Sequence, residues 1–194
     1  MNHQSHKKVK ISTFSRLFIP LILLMTIISC ENKTEYQLTV DRELNKNERA
    51  DSLFLGYHFG MTTTDFFELS RQLNSAGVIT GQTTIHYVID DLNHSVTKYF
   101  YPSFEDDKIY RLPIEASYDA WAPWNRSFFS DTLIVDLMDL YHHQYGADFF
   151  LSEIPDKENE VWVSIQANRR IVLNKIDDMT VQIEFLDLSV QNPN

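Results

Sequence analysis

The stretch Thr62–Ile89, TTTDFFELSRQLNSAGVITGQTTIHYVI, carries two hydrophobic periods in succession, and the change between them sets the fold class. Thr62 with Asp65 three positions on forms a capping box, in which each side chain satisfies an otherwise unpaired amide. Phe66, Leu69, Leu73 and Ala76 then fall on one stripe of a helix, and Gly77 suits its left-handed end. The spacing therefore predicts a helix over 62–76. After Gly77 the period becomes two: Ile79, Thr83, Ile85, Tyr87 and Ile89 share one face, with Thr80, Gln82, Thr84 and His86 on the other.

Working outward, Asp90-Asp91-Leu92-Asn93 reads as a turn, Val96–Tyr101 as a second strand and Lys108–Ile114 as a third. The arrangement then recurs. Asp131–Tyr145 carries Leu133, Leu137, Leu140 and Tyr141 beside Ile134, Met138 and Tyr145 on adjoining helical stripes, closed by Gly146. Val161, Val163 and Ile165 alternate along one strand, Ile171-Val172-Leu173 makes another, and Val181, Ile183 and Phe185 the last. The expected fold is α+β: two helix-plus-three-antiparallel-strand units, about 52–115 and 130–190, forming one globular domain over 52–190. An aromatic linker, Glu115–Phe129, joins them. Sheet edges must be paired or covered, so the two sheets are expected to join or pack side by side. Both helices would lie on one face and leave the other to solvent.

Upstream, residues 1–29 read as an export signal: a basic start (Lys7, Lys8, Lys10, Arg16), an apolar run from Leu17 to Ile28, and Ser29. The run is shorter than the about 20 residues a spanning helix needs. Ile27-Ile28-Ser29-Cys30 resembles the lipobox of bacterial lipoproteins, which implies acylation of Cys30 and a membrane partner held through that lipid. Cys30 is the only cysteine, so an intramolecular disulfide is excluded. Acyl chains contribute about 0.8 kcal/mol per buried methylene, enough to anchor without a protein span when more than one is present. Residues 30–51 are polar and charged, the composition of a tether, although Tyr36-Leu38-Val40 alternate as in a short edge strand.

The full chain carries 17 basic and 27 acidic residues, for a net charge of −10. With four of the basic residues inside the signal, the remainder holds 13 basic against 27 acidic, a formal −14. Such a surface repels phosphate backbones, which argues against a nucleic-acid partner.

Gly60-Met61-Thr62 followed by an amphipathic helix and three strands resembles the small outer-membrane lipoproteins of the barrel-assembly machinery. The doubled unit is similar to the beta-lactamase-inhibitor-protein-like fold. The chain departs from that pattern after the first helix, where Gly77-Val78-Ile79 stands in place of Gly-x-Pro. The resemblance implies a binding or assembly module, and fold by itself names no partner.

Candidates for chemistry are few. Asp139 and His143 lie four apart on one helix face, next to His142 and Asp136, a spacing able to seat two ligands of a divalent metal; no third ligand is evident. Solvated helix surface explains the same residues, so no metal is assigned. The acid pairs Asp90-Asp91, Asp106-Asp107 and Asp177-Asp178 sit at turns, where aspartate satisfies backbone amides. No serine-hydrolase elbow and no glycine-rich phosphate loop is present, and no cofactor is implied.

The aromatic residues carry more. Tyr99, Tyr101 and Trp162 alternate with the apolar set, which places at least one of them on the open sheet face near Arg111, and the linker adds Trp121 and Trp124. Trp, Tyr and Arg dominate interface hot spots because they bury much area at small entropic cost. The expectation is a non-catalytic binding or assembly module of the Gram-negative envelope, anchored on the outer membrane through Cys30. It would contact another envelope protein through Trp162, Tyr99, Tyr101, Arg111, Trp121 and Trp124. The competing class is an envelope enzyme acting on glycan or peptide with unidentified carboxylates.

Overall fold

The computed structural model describes residues 33–81, 84–90, 92 and 94–191, so the expected signal, the lipobox and Cys30 lie outside it. In chain order the elements are α1 (Glu35–Leu44), α2 (Thr63–Ser75), β1 (Ile85–Ile89), β2 (Val96–Phe100), β3 (Ser103–Glu105) and β4 (Lys108–Tyr118). There follow a 3-10 turn (Arg126–Phe128), α3 (Ser130–Tyr145), β5 (Phe150–Ser152), β6 (Val161–Gln166), β7 (Arg169–Lys175), β8 (Val181–Asp187) and α4 (Leu188–Gln191). The fold is α+β, with an open eight-stranded antiparallel sheet of order β1-β2-β4-β8-β7-β6-β5 and β3 paired to β4.

The last strands of the two repeats, β4 and β8, pair at the centre from Arg111↔Leu186 to Ala116↔Val181, so the two small sheets become one. The turn chemistry agrees with the sequence. Asp106 and Asp107 take φ of 47° and 63° between β3 and β4, a left-handed pair that aspartate tolerates in a tight hairpin. Gly146 ends α3 at φ 66°. The carboxylate of Asp177 accepts the amides of Met179 and Thr180 at 2.8 and 2.7 Å, the turn role expected of these acids. Among the described residues of the first expected strand, Ile85–Ile89 form β1, and Thr80 returns as an isolated bridge to His86.

On one sheet face, Phe66 of α2 and Leu133, Leu137 and Tyr141 of α3 share an apolar cluster with Phe100, Ile114, Leu173, Ile183 and Phe185. Helix α2 shows half of the capping box: Thr62 Oγ1 accepts the Asp65 amide at 3.2 Å, but the Asp65 carboxylate accepts the Thr62 hydroxyl at 2.8 Å in place of the Thr62 amide. Into this core β2 turns Lys98, only 2% exposed, between the buried Val96 and Phe100.

The opposite face corrects two expectations. Residues Glu35–Leu44 are a helix, so the described part of 30–51 is not a tether. Tyr36 and Val40, four apart, pack on Val161, Val163, Ile165, Val172 and Leu186, while Leu38 points outward at 56% exposure. A stripe of two residues is enough here because β6–β8 offer an apolar surface to receive it. As a result the second face is covered over β6–β8 and open only over β1, β2 and β4. Thr34 caps α1, accepting the Gln37 amide at 3.2 Å, while Gln37 accepts the Thr34 amide at 2.8 Å. Thr34→Ala is expected to lower stability by about 1 kcal/mol in urea unfolding; no loss would mean that α1 does not fold with the sheet.

Candidate functional site

The uncovered part of the second face is built by strand parity. In β2 the residues between the core positions are Thr97 and Tyr99; in β1 they are His86 and Val88; in β4 they are Arg111, Pro113, Glu115 and Ser117. The register aligns His86, Tyr99, Glu115 and Gln182 in one row across β1, β2, β4 and β8. The His86 and Tyr99 rings meet edge to face with centroids 4.6 Å apart. Where β4 ends, Tyr99, Glu115, Ser117, Asp119, Trp121 and Met179 line a groove of about 400 Å³.

Trp121 is held in place. Its indole N–H donates to the carbonyl of Asp178 at 3.3 Å, and its ring lies against Phe129, centroids 6.1 Å apart. Arg126 sits over the Phe129 ring at 5.0 Å. Asp119 is anchored by the Thr97 hydroxyl, which donates to it at 2.5 Å.

The structure thus brings together two of the six aromatic and arginine candidates, Tyr99 and Trp121. Arg111 lies on the same face, but its guanidinium is committed to Glu184, with Nε at 2.7 Å and an Nη donating to the same oxygen. Trp124 stands in solvent at 86% exposure, just past Trp121 in the chain. Two candidates are corrected. Trp162 pairs with Leu173 and packs against the helix-covered core, because β6 turns Val161, Val163 and Ile165 to the other face. Tyr101 lies past the end of β2 and meets Phe66 of α2 and Phe104, centroids 5.7 and 6.5 Å away, so it too faces the helices.

Next to the open region runs a buried charge network that sequence reasoning missed. Glu184, in β8, accepts from Arg111 and, at 2.8 Å, from Arg170 in β7; Arg170 also donates to Asp156 and to the Tyr36 hydroxyl. Burial pulls the Arg170 guanidinium down, but the bonds to Asp156 and Tyr36 outweigh it and hold its pKa above the usual value. The same pairing holds Asp156 below the carboxylate norm despite partial burial. The network ties α1, through Tyr36, to the sheet.

Lys98 is the other missed group. Its Nζ donates to Tyr141 Oη at 2.9 Å and lies 5.2 Å from the Phe54 ring centroid and 4.9 Å from that of Tyr141. Complete burial pushes its pKa down to about 7. The position was readable, since 98 shares the parity of Val96 and Phe100.

Asp139 and His143 remain on solvent-exposed helix surface, His143 Nδ1 lying 2.9 Å from the Asp139 carbonyl oxygen and 3.5 Å from its carboxylate. Asp136 points elsewhere, accepting the Tyr118 hydroxyl at 2.6 Å. Among the described residues no group of three or more His, Cys, Asp or Glu side chains is placed to hold a metal. No described helix is long and apolar enough to cross a membrane. Comparison with protein-family models, with curated proteins and with solved structures finds no match to this chain.

Proposed function

We propose that this protein is a lipid-anchored module of the bacterial envelope, acylated on Cys30, that binds another envelope protein through the open part of its sheet. The observation that carries the reading is the uneven cover of the second sheet face. Helix α1 closes it over β6–β8, whereas the row of His86, Tyr99 and Glu115, bordered by Trp121, is left uncovered, and Trp124 stands exposed three residues further along the chain. A rigid strand platform with fixed aromatic side chains presents contact area at small entropic cost. The lipobox resemblance supports the anchor, and the acidic balance of the chain disfavours nucleic acid and anionic headgroups as the bound partner.

The test is crosslinking in intact cells followed by capture on a C-terminal tag. A discrete envelope protein should be recovered with the unaltered chain and lost with Cys30→Ala. The pair Tyr99→Ala and Trp124→Ala removes two exposed rings without touching the core, and at about 2 kcal/mol per hot-spot residue it should reduce capture more than tenfold. Undiminished capture by that pair would remove the face from consideration.

A further inference from the structure

The groove at the end of β4 has a chemical character of its own. Two carboxylates, Glu115 and Asp119, line it together with the rings of Tyr99 and Trp121 and the thioether of Met179, and its lining contains no lysine, arginine or histidine. The nearby cations are committed elsewhere: Lys175 to Asp131 and Asp178, Arg111 to Glu184, and Lys157 to the Gln182 amide oxygen. Glu115 forms no ion pair or side-chain hydrogen bond within the described chain, and Asp119 is oriented by the Thr97 hydroxyl. The Trp121 ring is fixed at one edge by the Asp178 carbonyl and supported by Phe129.

Resting on the binding-module reading, we infer that this groove receives the side chain of a lysine or arginine displayed by the partner protein. The recognition is charge complementarity at short range. A cation entering between Tyr99 and Trp121 meets ring faces whose quadrupoles attract it, while its head reaches the Glu115 carboxylate. The methylene stem lies along the rings and Met179, the division of polar head and apolar stem that both long basic side chains offer. An acidic or neutral side chain gains neither interaction. The row His86–Tyr99–Glu115 continues from the groove across β2 and β1, so the residues flanking the basic one would lie along the open face.

The test uses the full chain in non-ionic detergent, with three probes: the blocked tripeptide Gly-Lys-Gly, its norleucine counterpart, and calcium ion alone. Backbone amide shifts are followed by NMR. The lysine peptide is expected to move the amides of residues 115–119, 179 and 180, the norleucine peptide to leave them in place, and Glu115→Gln to weaken lysine binding about fivefold or more, the effect of losing one favourable ion pair. Glu115 is exposed and its replacement nearly isosteric, so the fold is kept. Equal binding of lysine and norleucine peptides overturns the inference. So does a lysine response scattered over the acidic surface and unchanged by Glu115→Gln, and so does calcium producing the same local shifts, which assigns the groove to metal. If the crosslinked partner is lost with the Tyr99 and Trp124 pair while the lysine peptide fails to bind, the binding-module reading stands and this inference falls. Local lysine binding with no cellular partner gives the reverse.

Discussion

Lys98→Met is expected to raise stability at neutral pH by about 2–3 kcal/mol, an unusual outcome for a core substitution. Lys98 is buried among Val96, Phe100, Phe54 and Tyr141, and its described side-chain hydrogen bond goes to a phenol, with no carboxylate paired to it. Burial lowers its pKa from 10.5 to about 7. At 1.36 kcal/mol per unit, that difference is a penalty on the order of 5 kcal/mol when the unfolded chain holds the proton. Methionine has a similar unbranched reach and no charge to desolvate. It leaves the Tyr141 hydroxyl without its partner, which costs about 1–3 kcal/mol and sets the net gain.

The pH dependence separates this account from a simple packing effect. The folded pKa of Lys98 lies below the unfolded one, so between about 7 and 10.5 the unfolded state binds more protons and stability rises with pH. Below about 7 the penalty is present in full. The variant lacks it at every pH. Its advantage over the unaltered protein in urea midpoint should be widest below about 7 and should shrink, then reverse, as pH approaches 10.5, where the unpaired Tyr141 hydroxyl is what remains. Differences between the two proteins cancel the titration of the other tyrosines to first order. A gap that stays constant across that window would show that Lys98 keeps its proton in the folded state.

Glu184→Ala has the largest expected loss, about 3–5 kcal/mol, a major share of the stability of an ordinary domain. The Glu184 side chain is 2% exposed and Arg170, which it accepts from, is 3% exposed. Without Glu184, Arg170 keeps Asp156, itself 45% exposed, and the Tyr36 hydroxyl, while Arg111 loses its carboxylate. A buried guanidinium with half its compensation removed costs more than the pair ever contributed. The companion variant Glu184→Leu with Arg170→Met places two apolar side chains beside Val172 and Leu186 and should recover most of the loss, since Arg111 is 39% exposed and can return to water. Urea unfolding of both measures the difference. A loss under about 1 kcal/mol for Glu184→Ala would mean that Asp156 and the Tyr36 hydroxyl compensate Arg170 by themselves and that Glu184 is not needed to keep its charge buried.

Most of the sheet was legible from the period of two. Val96–Phe100, Val161–Gln166 and Val181–Asp187 fall where alternation placed them, and β4–β8 pairing is the joining of sheets that edge protection required. Helices α2 and α3 were marked by their caps and stripes. Of the expected contact residues, Tyr99 and Trp121 line one groove, whereas Trp162 and Tyr101 turn to the helices.

What the sequence determined by itself is local: backbone geometry and side-chain spacing set the helical or extended period, and turn residues set where it breaks. What only the tertiary structure decided is which face of each strand meets water. In β6 both sides are covered, Val161, Val163 and Ile165 beneath α1 and Trp162 with the buried Ser164 on the opposite side, so alternation alone cannot tell which side meets water. Residues 35–44 were read as polar tether because Tyr36 and Val40 are too few to bury a helix alone. They suffice only against the surface that β6, β7 and β8 assemble from residues more than a hundred positions away, and it is this non-local burial that closes half of the sheet and leaves the other half open.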